Sequence, residues 1–341
     1  MTQTLVIGGG GFLGQYIVEQ LVARGEQVRI FGRNHYPELE SLPVEQFQGD
    51  IRVSADVYRA CEGMETVFHT AALAGLRCQW EPFFEINTLG TLHVINACLK
   101  NGIRKLIYTS SPSVTFDGRD QIGVDESAPF PKHWLAHYPH SKALAEKIVL
   151  NANGHNGLLT CALRPHLIWG PRDRHLIPRL LERARLGKLR RVGNGTNRID
   201  MIYVENAATA HLQAADALKE GGPVAGNAYF LSQGEPVNCW DWINEILALV
   251  DLPPVQRSVS LNAAWLIGSV LEKFYTLFRK TGEPLMTRFL VAQLARSHWF
   301  DISRAKNDFG YVPKISTSEG MHRLREFLQL PSNSLNPPKN P

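Results

Sequence analysis

The stretch "TLVIGGGGFLG" (residues 4–14) decides the architecture. It opens on a short apolar, β-branched run, the pattern of a strand buried on both faces. The run breaks into glycines and resumes as an amphipathic stretch over 12–24, the pattern of a helix. The glycines stand as Gly8-x-x-Gly11-x-x-Gly14. At a strand-to-helix turn, residues without a Cβ let the chain turn tightly and let a pyrophosphate reach the backbone N–H groups that start the helix. A glycine triplet alone marks many plain loops. Between an opening strand and a helix, it predicts a dinucleotide site built from Gly8, Gly11, Phe12, Leu13 and Gly14.

Outward from that turn the pattern repeats. Strands are predicted at 4–8, 27–32, 44–48, 66–71, 105–111 and 158–165, with helical stretches between them, among them 12–24 and 82–101. Apolar strands alternating with helices mean a parallel sheet covered on both faces. The expected fold is α/β, a doubly wound parallel (Rossmann) sheet over residues 1–165 that also carries the catalytic residues. Residues 166–329 are expected to form a smaller, mainly helical substrate-binding part, interleaved with late sheet elements such as "NAYFLSQ" (227–233). The tail 330–341, rich in Pro, Asn and Ser, is expected to be disordered.

Composition narrows the class. With 341 residues, 44% apolar and 20% charged, the chain suits one large or two closely joined globular domains. Its five cysteines show no C-x-x-C spacing, which signals neither a zinc site nor a disulfide framework and fits a reducing, cytoplasmic setting. No signal peptide is expected, since the first apolar run breaks into glycines. The net charge of +4 is uneven: residues 172–191 hold eight Arg/Lys against two acids. That stretch reads as a solvated helix face or as a dock for an anionic substrate, partner or membrane surface. It lacks the interleaved aromatics and motifs of a nucleic-acid binder. The apolar run 261–278 is interrupted by Glu272 and Lys273, and fits a buried helix lining a large apolar pocket, or an interfacial helix, better than a membrane span. Peripheral contact with a membrane or with another enzyme stays open.

The end of the second strand bears on the cofactor. "FGRN" places Gly32 where an acid would accept from the ribose 2′-OH of NAD, and Arg33 follows. A guanidinium grips a 2′-phosphate that a carboxylate would repel. The expectation is NADP(H), with NAD(H) left open. In "QGDI", Asp50 is a candidate acceptor for the adenine amine and Ile51 a cover for the ring; in "FHTAA", small Ala71 lets the backbone approach the cofactor.

The fifth strand ends in "YTSS", at the sheet edge where ligands of open α/β folds bind, making Ser111 the candidate to orient a substrate oxygen, with Ser110 as its near competitor. "YPHSK" then sets Tyr138 and Lys142 four residues apart, on one face of a helix. A phenol titrates near ~10, too high for efficient proton transfer at neutral pH, and an adjacent ammonium favours the phenolate. His133, His137 and His140 suggest a metal face, but Pro139 interrupts them and the chemistry needs no metal. His69 and His211 read as packing residues.

These features together resemble the extended short-chain dehydrogenase/reductase family: the glycine motif, Ser111, Tyr138-x-x-x-Lys142, and "RP" (164–165) ending the sixth strand. The resemblance implies that Ser111 binds a carbonyl, that Tyr138 delivers the proton, and that Lys142 bonds the nicotinamide ribose. It also implies that Pro165 and His166 border the nicotinamide. It narrows to the 3β-hydroxysteroid dehydrogenase-like branch through residues 164–189, 192–212 and 300–313. Within that branch, residues 33–40 and 282–294 are similar to bacterial 2-alkyl-3-oxoalkanoate reductases of long-chain olefin synthesis. The implied reaction is NADPH-dependent reduction of a 3-oxo group on a large apolar substrate. The alternatives are a 3β-hydroxysteroid or sterol 4-carboxylate 3-dehydrogenase and a nucleotide-sugar epimerase or dehydratase. An arginine among Arg172, Arg174 and Arg179 is the expected holder of a substrate carboxylate. A homodimer is expected by analogy alone.

Overall fold

The computed structural model describes residues 2–330, so from residue 331 the tail lies outside the described residues. Seven strands form the central sheet: β1 (Gln3–Ile7), β2 (Gln27–Gly32), β3 (Val44–Gln48), β4 (Thr66–His69), β5 (Lys105–Thr109), β6 (Leu159–Pro165) and β7 (Asn227–Leu231). They run parallel in the order β7-β6-β5-β4-β1-β2-β3. The order reverses between β1 and β4, which opens a crevice at their carboxyl ends. Register brings the crevice residues level: Ile7 is paired with Phe31 on one side and His69 on the other, so Gly8, Gly32 and Thr70 leave the sheet along one edge.

Alternation along each strand fills two cores. Leu5, Ile7, Val67, Leu106 and Tyr108 pack on one face against α2 (Ser54–Cys61), which follows α1 (Phe12–Ala23), and against α3 (Gly90–Asn101) and α4 (His137–Asn151). Val6, Phe68 and Ile107 pack on the other face, against α1 and, beyond the basic α5 (Leu176–Arg185), against α6 (Val204–Ala217). Pro139 lies in the first turn of α4, where its missing N–H has no helical partner to lose, so His137 and His140 share the helix while His133 precedes it.

The stretch expected as one helix over 82–101 is divided. A π-helical turn, Phe84–Leu89, precedes α3, and it carries the buried Asn87. After β6, Trp169, Tyr203, Trp240, Trp242 and Ile246 form a third core with α7 (Cys239–Ala248). A small sheet of Val237–Asn238, Arg198–Ile199, His298–Phe300 and Gln121–Val124 draws its last strand from the first half of the chain, while the large sheet takes β7 from the second.

The apolar run proves to be α8 (Leu261–Leu277), followed by α9 (Arg288–Ala295). It is not a buried helix: only Ala264 and Gly268 are buried, while Leu266, Val270 and Leu277 are 66%, 58% and 77% exposed. Hydrophobicity along a helix measures how much of it is apolar, not which side meets the protein. Here the protein takes the small residues, with Gly268 close against the Thr287 backbone. Among the described residues no helix is long and apolar enough to cross a membrane.

Candidate active site

The glycine turn lines a cavity of about 620 Å³. Gly8 has φ +87°, and a Cβ there would meet the Ala71 nitrogen at 2.7 Å; a Cβ on Gly14 would stand 2.1 Å from the Gly8 carbonyl oxygen. Both close approaches require glycine. Gly11 caps α1 with no side-chain bond, and the first turn holds no acid, so the amides opening the helix are free to meet an anion. Phe12, Leu13, Arg33, Asp50, Ile51 and Ala71 line the same cavity. The residues present fit a dinucleotide.

At its far end the cavity is shaped by Tyr36. A Cβ on Gly10 would meet that ring at 2.1 Å, and one on Gly32 would meet its hydroxyl at 2.6 Å. An acid at position 32 therefore requires Tyr36 to move. Arg33 reaches the cavity exposed and without an ion pair among the described residues. Asp50 is not a free acceptor: Arg52 grips its carboxylate from side chain and backbone and holds it below its usual range.

Beyond the Ala71–Leu73 wall stand the catalytic candidates. Tyr138 and Lys142 lie one turn apart on α4. The Tyr138 ring packs edge-on to Phe83, and the Ser111 side chain stands near enough to its hydroxyl to favour the phenolate. Ser111 also accepts from the Ser113 amide (3.3 Å) and shares a 2.8 Å contact with the Ser113 hydroxyl. Ser110 is buried instead, its amide bonded to the Leu163 carbonyl. Lys142 is 2% exposed; its Nζ donates to the Thr109 carbonyl (2.6 Å) and lies 4.1 Å from the Tyr108 ring centre.

Charge is arranged differently from the expectation. Burial pushes the Tyr138 phenol up from its ordinary value, and the neighbouring Ser111 side chain pulls it only partly back. Burial also pulls Lys142 down to about 7, against the opposing Glu146 carboxylate. The ammonium is thus spent on Thr109 and Tyr108, and desolvation governs the phenol. Glu146 itself is fully buried in a two-bond pair with Arg164 (2.9 and 2.5 Å).

Asn87, unnoticed in the sequence, ties the two regions together. Its amide exchanges bonds with both backbone groups of Leu73 (2.7 and 3.0 Å) and donates to the Ser141 hydroxyl (2.9 Å) on α4. The signal was a polar side chain inside the helical run "FEINTLG" (84–90).

Other candidates fall elsewhere. Pro165 ends β6 beside Leu231, off the walls of the cofactor cavity, and His166 turns away to bond the Asp200 carbonyl and the His298 ring. His69 and His211 are buried against Thr91 and Thr109. His140 lies between Trp134 and Trp80. The three arginines expected to offer a free cation are each paired: Arg172 with Glu19, Arg174 with Glu38 and Arg179 with Glu283. A second cavity, of about 580 Å³, adjoins the start of α4, lined by Leu76, Trp134, Leu135, Ala136, His137 and the inner edge of α8.

Residues 5–261 match the 3-beta hydroxysteroid dehydrogenase/isomerase family. The chain belongs to this family. As a member it is an oxidoreductase that uses a nicotinamide nucleotide. A 2-alkyl-3-oxoalkanoate reductase of Stenotrophomonas maltophilia (strain K279a) is 46% identical over 324 residues, spanning 94% of this chain and 98% of that one. The decarboxylating sterol-4-alpha-carboxylate 3-dehydrogenase of Mus musculus is 35% identical over 322 residues, spanning 93% and 88%. Among solved structures, MoeE5 in complex with UDP-glucose and NAD shares the fold, with a TM-score of 0.75 at 23% identity over 98% of this chain and all 100% of that one.

Proposed function

We propose that the enzyme reduces the 3-oxo group of a 2-alkyl-3-oxoalkanoate to the 3-hydroxy group, using NADPH. The observation that supports it is Tyr138: an enclosed phenol beside Ser111, which burial keeps protonated, can donate to a ketone oxygen, and the direction is that of the reductase relative. The substrate reading is supported by the reductase relative that matches 94% of this chain and 98% of its own. The second cavity, with its Leu76, Trp134 and Leu135 walls, suits alkyl chains, whose burial contributes about 0.8 kcal/mol per CH₂.

Each residue has a task. The Ser111 and Tyr138 hydroxyls hold the carbonyl oxygen, and Tyr138 passes its proton to that oxygen as negative charge develops there. Lys142, anchored on Thr109, stands one turn behind the phenol, ready to return a proton. The amides from Phe12 to Gly14 take the pyrophosphate. The nicotinamide, when bound, supplies the hydride. NADPH rather than NADH is supported by Gly32, where an acid would have to displace the Tyr36 ring, and by the unpaired Arg33.

The test follows nicotinamide absorbance in the oxidative direction, with NADP⁺ or NAD⁺, offering a long-chain 2-alkyl-3-hydroxy acid and a 3β-hydroxysteroid. Turnover of the acid with NADP⁺ is expected, and Tyr138→Phe should lower it by about 10²–10⁴-fold while NADPH binding persists. Turnover confined to the steroid with NAD⁺ would overturn the reading. Arg33→Gln should cost about tenfold in NADPH affinity and nothing for NADH.

A further inference from the structure

We infer that Arg77 holds the carboxylate of the substrate, and so makes the enzyme a reader of 3-oxo acids rather than of ketones in general. This rests on the substrate reading above and deepens it. Arg77 lines both cavities, the one around the glycine turn and the one beside α8. The reacting carbon has to be reached from both spaces, since its hydride comes from one and its alkyl body occupies the other, and Arg77 is the residue their linings share. In a 3-oxo acid the carboxylate carbon is two bonds from that carbon, roughly 2.5 Å away at C–C bond lengths of about 1.5 Å. The cation that holds it must therefore face the junction.

The neighbouring cations are excluded one by one. Arg288 is taken by Glu272, Arg52 by Asp50 and Arg179 by Glu283. Lys273 lines the α8 cavity alone and Arg33 the cofactor cavity alone. Arg77 is exposed, and among the described residues it makes no ion pair.

Its loop is also fixed in place. The Leu76 amide donates to Glu283 (3.1 Å), the Gln79 side chain donates to the Lys280 carbonyl, and the ring of His137 bonds the Cys78 carbonyl (3.1 Å). His137 is the residue before Tyr138, so the strap that carries Arg77 is tied to the catalytic helix itself. Gly75, at φ +128°, lets the chain pass Glu283, whose Oε1 would lie 2.1 Å from a Cβ there. Glu283 stands near the same strap, but Arg179 and the Leu76 amide occupy its carboxylate. A planar guanidinium on a pinned loop is suited to a two-bond grip on a carboxylate.

The test compares two matched alcohols with NADP⁺: a 2-alkyl-3-hydroxy acid, and the same secondary alcohol lacking the carboxyl group. Arg77→Met is expected to lower kcat/KM for the acid by about 10- to 100-fold, the worth of hydrogen bonds to a charged group, chiefly through KM. Turnover of the plain alcohol and the Kd for NADP⁺ should not change, and Arg77→Lys should recover part of the loss. Equal losses on both alcohols would make Arg77 merely structural. A weakened NADP⁺ Kd would assign its charge to the dinucleotide. An unchanged KM for the acid would also overturn the inference. If the wild-type enzyme turns over neither alcohol, the substrate reading itself fails and takes this inference with it; if it turns over the acid and only the Arg77 arms fail, that reading stands.

Discussion

Replacing Lys142 with methionine probes the electrostatics of the site without any substrate. Lys142 is 2% exposed, and burial pulls its ammonium down to about 7. In the unfolded chain a lysine titrates near ~10.4. Between those values the unfolded chain binds more protons than the folded one, so this residue makes stability rise with pH across that window. Its burial cost is present in full below about pH 7 and is relieved as pH climbs toward ~10.4. Integrated from pH 6 to pH 9, the two values give roughly 2–3 kcal/mol of relief. The Lys142→Met variant has no such group. It leaves the Thr109 carbonyl without its donor, a loss of about 1 kcal/mol that does not depend on pH. Urea unfolding of both proteins at pH 6 and pH 9 measures the difference, because histidines and other titrating groups distant from position 142 cancel between them. The wild type should gain roughly 2–3 kcal/mol more than the variant on going to pH 9. Parallel pH profiles would show that Lys142 keeps its proton throughout, and that burial does not govern this site.

Two further substitutions probe the scaffold. Gly14→Ala sets a Cβ 2.1 Å from the Gly8 carbonyl oxygen, backbone against side chain with nothing flexible to yield. It should cost about 1–3 kcal/mol in urea unfolding and at least roughly tenfold in dinucleotide affinity by fluorescence titration; wild-type affinity would refute the cradle. Glu146→Ala strands the Arg164 guanidinium in the core, with an expected loss of about 3–5 kcal/mol, and removes the one carboxylate that favours a charged Lys142. A loss below about 1 kcal/mol would mean that water reaches Arg164.

The sheet and the cofactor turn were legible because their signals are local. The strands at 27–32 and 44–48 are read to the residue, since period-2 and apolar patterns end where the strand ends. Gly8 and Gly14 are legible because steric demand at one turn permits no other residue type. What escaped depends on partners distant in the chain. Nothing near Arg172 or Arg174 announces Glu19 or Glu38, each more than a hundred positions earlier. The π-helical turn that aims Asn87 has no residue pattern of its own. For Tyr138, spacing reports that Lys142 is close, whereas the phenol's pKa depends on enclosure, which only the packed structure contains.

The same distinction separates chemistry from specificity in this fold. Ser111 and the glycine turn leave the carboxyl edge of one sheet, where strand register brings them level, and α4 sets Tyr138 beside Ser111. The α8 cavity has no such organiser. Its walls come from residues 76–78, 134–137, 269–277 and 287–288, four segments that cannot enclose a ligand singly. What joins them is a handful of bonds: Glu283 to the Leu76 amide, His137 to the Cys78 carbonyl, and Glu272 to Arg288. Changing one of these contacts can reshape this cavity and leave Ser111, Tyr138 and Lys142 untouched. Members of the family can therefore share a catalytic sequence and differ in substrate, and the substrate has to be argued from which charges in that space are paired and which, like Arg77, are not.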